Sequence, residues 1–451
     1  MHGLFGTDGV RGIANDFLTC ERAMQIGRAV GSILSRKRRY HPLVLIGQDT
    51  RLSSEMLASA VSAGLCSVGA DVIRLGIVPT PAVAYLVEKY KARAGIMISA
   101  SHNPFEFNGI KIFDEEGFKF PDELEERIES IVLDGEPAPV MAIGADIGTV
   151  TFSNRALRDY MTHIRATVPF SLNGLHVAID CSNGSASATA EELFTSLGAR
   201  CDILAAAPDG VNINRDCGST HLENLARYVR EHGCDCGVAF DGDADRCLAV
   251  DENGNEIDGD MIMAILALDM KERGKLEKNT VVGTIMTNFG FGKFCRDNDI
   301  EFIDAKVGDR FVLERMQLGG FSFGGEQSGH IIFRDFATTG DGQLTAAQLL
   351  SLLVRSDKKL SELAKVMKKY PQCTVNIPAT PEAKIAFFTD PDVKEVVEKL
   401  EATLGTSGRV VARPSGTEPL IRVMLEGEDQ TEIQKMAEKA ASDIAALLDR
   451  Y

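Results

Sequence analysis

The densest chemistry in this sequence is Asp241-Gly242-Asp243-Ala244-Asp245-Arg246, set between the apolar runs Cys236–Phe240 and Cys247–Asp251. Both runs read as strands. Carboxylates at alternate positions of extended backbone point the same way. Three like charges aimed at one point repel unless a cation sits among them. All-oxygen ligation selects a hard divalent ion such as Mg²⁺. Asp241, Asp243, Asp245 and Glu252 also fall at positions 1, 3, 5 and 12 of an EF-hand loop. That loop needs glycine at position 6, where Arg246 stands, and helical flanks, where strands stand. A solvated acidic turn is the remaining reading, and the strands on both sides argue against it.

A second reactive stretch is Ile98-Ser99-Ala100-Ser101-His102-Asn103-Pro104. It follows Ala94–Ile98, a short buried strand by its apolar run, and Pro104 cannot extend a ladder. Ser101 is thus a hydroxyl held where a strand opens into a loop. Asn108-Gly109 reads as a turn into a strand over residues 110–113, with Lys111 reaching from the hairpin edge toward the serine. A strand lysine facing water is the alternative. Around Ser101 the base-and-orienter arrangement of an acyl-transfer serine is missing.

Three further loops carry polar groups on flexible backbone. Phe5-Gly6-Thr7-Asp8-Gly9-Val10-Arg11-Gly12 can bring amides and the Arg11 fork to an anion. Gly324-Gly325-Glu326-Gln327-Ser328-Gly329-His330 offers a carboxylate, an amide, a hydroxyl and an imidazole, an inventory suited to sugar hydroxyl or amino groups. Arg413-Pro414-Ser415-Gly416-Thr417, with Arg422 on the next strand, is a phosphate cradle; it lacks the Gly-Lys-Ser/Thr of a nucleotide P-loop. Ser182-Asn183-Gly184-Ser185 is a commoner kind of strand-to-helix turn and carries less.

The elements that must position these loops alternate. Helical periodicity over residues 20–36 is followed by a strand at 43–47, a helix capped by Ser53 or Ser54, a strand at 71–75 and a helix from Thr80-Pro81. This alternation predicts a doubly wound α/β unit with its working loops at strand C-termini. A Gly/Pro/Ala-rich stretch over 133–150 marks a boundary. A second α/β unit holds strands 176–180 and 236–240. A third holds helix 261–270, strand 280–284 and helices 342–354 and 360–369. Tyr370-Pro371 opens the last segment, with strands 373–377, 409–412 and 420–425, helix 392–404 and a C-terminal helix. The expected domains are residues 1–150, 151–256, 257–369 and 370–451.

Composition excludes several classes. At 451 residues the chain is too long for one core. With 44% hydrophobic and 25% charged residues it is a globular composition. No tryptophan, 6% aromatics and a net charge of −17 disfavour nucleic acid, whose phosphates would be repelled. An anionic substrate must therefore be held by local cations and amides. The ten cysteines show no metal or disulfide spacing, and Cys234 and Cys236 are the one close pair. They read as reduced cytoplasmic thiols. No apolar run reaches ~18 residues, so no membrane span is expected.

Taken together, Ser99 to Pro104, Asp241 to Arg246, Gly325 to His330 and Arg413 to Pro419 occur in the order of the α-D-phosphohexomutase family, which the chain resembles over its whole length. Residues 5–12, Gly325-Glu326-Gln327-Ser328-Gly329-His330 and Pro208-Asp209-Gly210-Val211-Asn212-Ile213-Asn214 are similar to the bacterial amino-sugar branch. Relatives acting on glucose and mannose phosphates usually carry methionine where Gln327 stands. Ala244 departs from the glycine of many relatives, a change expected to leave the ligands undisturbed.

The resemblance implies three related mixed α/β domains and a smaller C-terminal α+β domain around a central cleft. It implies a phosphoserine at Ser101, Mg²⁺ held by Ser101, Asp241, Asp243 and Asp245, and sugar contacts from Glu326 and Ser328. Arg11, Arg246 and Lys111 would add positive charge. His102, Lys111 and His330 remain open as general base. Arg413, Ser415, Gly416, Thr417 and Arg422 would hold the phosphate that is not reacting. The implied reaction interconverts glucosamine 6-phosphate and glucosamine 1-phosphate through a 1,6-bisphosphate, feeding UDP-N-acetylglucosamine synthesis, in a cytoplasmic homodimer. Hexosamine or glucose 1,6-bisphosphate would serve as activator. Alternatives are mutation of glucose or mannose phosphates by the same site, or a metal-dependent sugar-phosphate phosphatase.

Overall fold

Short apolar runs such as Ala94–Ile98 and Cys236–Phe240, buried along their whole length, build the centres of the first two sheets. The structure is a computed structural model and describes residues 3–6, 8–35, 41–415 and 419–451. The chain divides into two compact units, Met1–Thr284 with Glu301–Lys365, and Ile285–Ile300 with Val366–Tyr451.

The first unit contains three sheets. The first joins β1 (Val10–Ile13), β2 (Leu43–Gln48), β3 (Asp71–Ile77), β4 (Ala94–Ile98), β5 (Phe107–Phe113) and β6 (Val150–Phe152) in the order β1-β5-β4-β2-β3-β6. The second joins β7 (His176–Asp180), β8 (Arg200–Leu204), β9 (Cys236–Phe240), β10 (Cys247–Asp251) and β11 (Glu256–Ile257) in the order β11-β10-β9-β7-β8. The third joins β12 (Thr280–Thr284), β13 (Glu301–Ala305), β14 (Phe323–Gly325) and β15 (Ile331–Phe333) in the order β13-β12-β14-β15.

One plan repeats in all three. β3-β2-β4, β8-β7-β9 and β13-β12-β14 are parallel trios, and each is closed by an antiparallel return strand, β5, β10 or β15. The connection into that return strand is the serine loop in the first sheet, the triple-aspartate loop in the second and the Glu326–His330 loop in the third. Each follows the C-terminal end of a parallel strand, where loops of α/β sheets carry function. Helix Cys20–Ser35 buries Ala23, Ile26, Ala29 and Val30, each apolar side chain of Val or Ile size contributing about 1.5–3 kcal/mol.

The second unit has the antiparallel sheet β16 (Gln372–Pro378), β17 (Arg409–Pro414) and β18 (Leu420–Glu426), in the order β16-β18-β17, with helices Pro381–Thr389, Pro391–Leu404 and Gln430–Leu448. Its core includes Ile421, Val423, Leu425, Ile433 and Ile444.

Several expectations are corrected. Asn108 and Gly109 are not a turn. They lie inside β5, which pairs with β1 through Gly12↔Asn108 and Arg11↔Gly109, so the end of the glycine-rich loop at residues 5–12 is an edge strand. A Cβ on Gly109 would sit 2.4 Å from the Ser99 carbonyl oxygen, so close backbone approach explains that glycine. Ser53 and Ser54 do not cap helix Ser54–Ser67; both hydroxyls accept from the Asn108 amide instead. The helix over 360–369 shortens to Leu360–Leu363 and a 3-10 turn. Helix Pro381–Thr389 was not foreseen; Pro381 and its Thr380 cap are the signal that marks it.

Candidate active site

Ser101 stands at φ +52°, a left-handed conformation that non-glycine residues avoid at a cost of about 1–3 kcal/mol. Its surroundings over-determine it. The Arg51 guanidinium donates to the carbonyls of Ser101 (2.8 Å), Asn103 (2.9 Å), Pro104 (2.5 Å) and Phe107 (3.0 Å). The Asn214 amide donates to the Ser101 and Asn103 carbonyls at 2.9 and 3.1 Å. Arg51 is itself fixed by Asp49 at 2.8 Å, a fully buried pair, and Asp49 accepts from Ser99 Oγ and Ser54 Oγ. Ser99 Oγ accepts from the Ser101 amide at 3.0 Å. The sequence reading assigns no site role to Arg51, Asp49 or Asn214.

Ser101 Oγ donates to Asp241 Oδ2 at 2.5 Å. Asp241, Asp243 and Asp245 are buried, and each offers an oxygen within 4.8 Å of the others. Their convergence does not come from extended backbone. The loop is a turn, with the Ala244 amide donating to the Asp241 carbonyl at 3.1 Å and Ala244 at φ +58°. Gly242 permits the approach to the serine, since a Cβ there would lie 2.5 Å from the Ser101 carbonyl oxygen. Thr80 Oγ1 donates to Asp243 Oδ2 at 2.6 Å.

Burial, then Asp245 and Asp243, push the Asp241 carboxyl well above the usual range. Burial opposes ionisation of Asp245 too, but Lys111 and His330 hold it well below. Asp243 Oδ1 and Asp245 Oδ1 are buried oxygens with no hydrogen-bond partner. Hard oxygen donors, excess negative charge and two orphaned oxygens fit a divalent cation.

Lys111 is 1% exposed. It lies on β5, one strand in from the edge, and reaches the acidic loop rather than Ser101. Its Nζ is 2.9 Å from Asp243, 3.2 Å from Asp8 and 3.3 Å from Asp245. Burial opposes its charge, but Asp243, Asp8 and Asp245 outweigh burial and push its pKa well above normal. Arg11 donates to Asp8 at 2.5 Å and to the Asn103 side chain at 3.0 Å. Lys119, unnoticed in the sequence, bridges Asp8 at 2.6 Å and Asp309 at 2.5 Å. The Arg246 amide donates to Asp241 Oδ1 at 3.1 Å, and its Nε, 3.9 Å from Asp245 Oδ1, is buried without a hydrogen-bond partner.

The two histidines differ. His102 Nδ1 is 3.3 Å from Ser101 Oγ, and burial, then Arg246 and Arg11, lower its pKa to about 4. The His330 ring accepts the Gly340 amide at Nε2, 2.9 Å away, so its proton sits on Nδ1, which is 3.7 Å from Asp245. Burial opposes a charge on this ring and Asp245 favours one, for a net upward shift. Glu326 accepts the Gly308 amide at 3.0 Å, and burial raises its pKa. Ser328 Oγ is buried without a partner.

In the second unit, Arg413 and Arg422 are directly opposed across β17 and β18. Like charges facing across an antiparallel pair destabilise it unless an anion joins them. The Ser415 amide donates to the Leu420 carbonyl at 2.9 Å, and Lys384 donates to the Ser415 carbonyl at 2.7 Å. Gly416 and Thr417 lie outside the described residues.

Residues 2–138, 158–254 and 258–370 match the families described as phosphoglucomutase/phosphomannomutase alpha/beta/alpha domains I, II and III, and residues 353–442 match the C-terminal domain. A phosphoglucosamine mutase of Caldanaerobacter subterraneus subsp. tengcongensis is 53% identical over 449 residues, covering 100% of both chains. The crystal structure of a phosphoglucomutase/phosphomannomutase family protein from Burkholderia thailandensis superposes with a TM-score of 0.80 at 23% identity, covering 99% of this chain and 98% of its own. That of Aspergillus fumigatus N-acetylphosphoglucosamine mutase, in complex with GlcNAc-6P and magnesium, gives 0.68 at 16% identity, covering 99% and 96%. No helix among the described residues is long and apolar enough to cross a membrane.

Proposed function

Because the chain belongs to the phosphoglucomutase/phosphomannomutase family, the α-D-phosphohexomutases, we propose that it interconverts glucosamine 6-phosphate and glucosamine 1-phosphate, with Ser101 as phosphoryl carrier. The observation that carries this reading is the hydrogen bond of Ser101 Oγ to a buried triple-aspartate cluster. A serine hydrolase would need an orienting acid–base pair at that hydroxyl, whereas a phosphoserine needs charge neutralisation.

Phosphorylated Ser101 passes its phosphoryl group to the free O1 hydroxyl of the 6-phosphate. The bisphosphate so formed turns over, and its 6-phosphoryl group returns to Ser101. Arg51 and Asn214 hold the serine loop in place for both transfers. Lys111 stays charged and balances Asp243 and Asp245 beside the reacting group. Of the three candidate bases, Lys111 is held as an ammonium and His330 has its Nε2 lone pair committed to the Gly340 amide. His102 is neutral and 3.3 Å from Ser101 Oγ, so it takes the hydroxyl proton. Asp241, Asp243, Asp245 and Ser101 would hold Mg²⁺, which supplies charge neutralisation and polarisation at the phosphoryl group. Glu326 pairs with the substrate's amino group, and Ser328 binds a sugar hydroxyl. Arg413, Arg422 and the loop from Ser415 through Gly416 and Thr417 grip the idle phosphate. Hexosamine or glucose 1,6-bisphosphate reloads a serine that has lost its phosphoryl group.

The ten cysteines, all unpaired, suit a cytoplasmic enzyme, and a homodimer is the expected assembly. The test is a coupled assay across glucosamine, glucose and mannose phosphates with inorganic phosphate followed in parallel. The reading requires the highest kcat/KM on glucosamine phosphate and little free phosphate. Equal turnover of the three sugars, or phosphate release rivalling isomerisation, would overturn it.

A further inference from the structure

His176, Asp202 and Cys234 meet at the end of the second sheet away from the serine loop. His176 opens β7, Asp202 is central in β8, and Cys234 lies two residues before β9. His176 Nε2 is 2.7 Å from Asp202 Oδ2, and Cys234 Sγ is 3.7 Å from the same nitrogen and 3.9 Å from the same oxygen. One ligand atom from each lies within 4.8 Å of the other two. We propose that these three residues form a second metal site, for a thiophilic divalent cation of the zinc class.

The donor geometry carries the argument. A tetrahedral ion with Zn–S near 2.3 Å, Zn–N near 2.0 Å and Zn–O near 2.1 Å sets donor separations of roughly 3.4–3.6 Å. The two sulfur edges are already within a few tenths of an ångström of that. Only the His–Asp edge must open, by about 0.7 Å, through a small rotation of the Asp202 carboxylate. The frame is rigid. The His176 amide donates to Asp235 Oδ2 at 2.8 Å, and the Asp235 amide returns a bond to the His176 carbonyl at 2.8 Å. Cys234 is buried at 2% exposure, while the His176 and Asp202 side chains are 14% and 23% exposed, which leaves a fourth position for water.

The donor set also separates this site from the triple-aspartate loop. A thiolate, an imidazole and a single carboxylate select a softer ion than Mg²⁺. A five-residue strand, about 15 Å long, stands between the two ends of the sheet, so the ion would not reach the reacting phosphoryl group. On binding, the Cys234 thiol gives up its proton to solvent and the sulfur–metal bond takes its place, while the proton shared between His176 Nε2 and Asp202 moves to Nδ1 of the neutral ring, so that one proton is released per ion. The ion ties β7, β8 and the entry to β9 together, and its role is to stabilise the second sheet.

The test titrates the full chain with Co²⁺ in saturating Mg²⁺, so that the acidic loop is already filled. One Co²⁺ per chain is expected, with a thiolate-to-cobalt charge-transfer band that Zn²⁺ displaces, and with a raised Tm. Cys234→Ala should abolish the band, and His176→Gln should weaken binding at least about tenfold. Cys201→Ala, a neighbouring thiol outside the site, should leave both band and affinity intact. A wild-type chain without the band, a band that survives Cys234→Ala, or an affinity unmoved by His176→Gln each overturns the proposal. Retained mutase activity in Cys234→Ala and His176→Gln shows that the variants are folded.

Discussion

Arg51 donates to four carbonyls of the segment that carries Ser101, at 2.5–3.0 Å, while fully buried against Asp49. One guanidinium therefore does most of the work of holding Ser101 at φ +52°. Arg51→Lys keeps the charge but loses the planar fork and reaches fewer carbonyls. The expected outcome is a kcat reduced about a hundredfold with KM changed only a few-fold, because misplacing a reacting group by about 1 Å has that effect. Steady-state kinetics check it. A variant with unchanged kcat would show that the loop holds itself. Arg51→Ala should also lower stability by about 3–5 kcal/mol by stranding Asp49.

Lys111 is the buried ammonium shared by Asp8, Asp243 and Asp245. Lys111→Met leaves Asp8, Asp243 and Asp245 buried without it. Activity should fall at least about a hundredfold, and the metal-free variant should be markedly less stable than wild type. Because a cation then becomes the main counter-charge, added Mg²⁺ should raise the variant's Tm by more than it raises that of the wild type. Thermal melts with and without Mg²⁺ decide this, and an equal increment in the two proteins would contradict it.

How much of this was legible follows from range. The triple-aspartate loop and the serine loop are contiguous, so residue type and flanking strands exposed them. Arg51 and Asn214 lie 50 and 113 residues from Ser101; the pairing of β2 with β4 brings Arg51 there, and a loop that follows β8 of the second sheet brings Asn214. The polar stretch Gln48-Asp49-Thr50-Arg51 at the end of a parallel strand was the available signal. Asn108-Gly109 misled because a turn dipeptide and a close-packed strand glycine look alike locally. The carboxylates converge as expected but through a left-handed turn at Ala244, which spacing alone cannot distinguish from extended backbone. That three α/β units are related followed from the motif order; the strand order they share, a parallel trio closed by an antiparallel return strand, emerges only from long-range pairing.

Glu326 is half-buried and desolvation raises the pKa of its carboxyl, which favours pairing with an ammonium brought by substrate. Glu326→Gln should reduce kcat/KM for glucosamine phosphate about ten- to a hundredfold, the equivalent of a charge-assisted hydrogen bond, and affect glucose phosphate only a few-fold. Parallel kinetics on both sugars measure it. Equal losses would remove Glu326 from amino-group recognition.

Asp341 accepts from Tyr160 Oη at 2.8 Å and from the Leu344 amide at 2.9 Å. Burial raises its pKa from 3.8 to about 6. The folded state therefore keeps a proton that the unfolded chain releases near 3.8. The stability this adds is complete below about pH 4 and is lost as pH rises through about 6, a change of roughly 3 kcal/mol. Asp341→Asn, which can still accept at the helix start, should flatten that part of the profile. Calorimetric melts at about pH 4.5 and about pH 7.5 compare the two. Identical pH slopes for wild type and variant would reject the assignment.

Ser101 as a carrier that lends and recovers one phosphoryl group is the central claim. Its most direct measurement is peptide mass mapping after incubation with hexose 1,6-bisphosphate, on wild type and on Ser101→Ala. The account predicts one phosphate on the peptide bearing Ser101, lost to substrate during turnover, and neither phosphate nor mutase activity in Ser101→Ala. A wild-type chain that never carries phosphate at Ser101, or a Ser101→Ala variant with full activity, would contradict it.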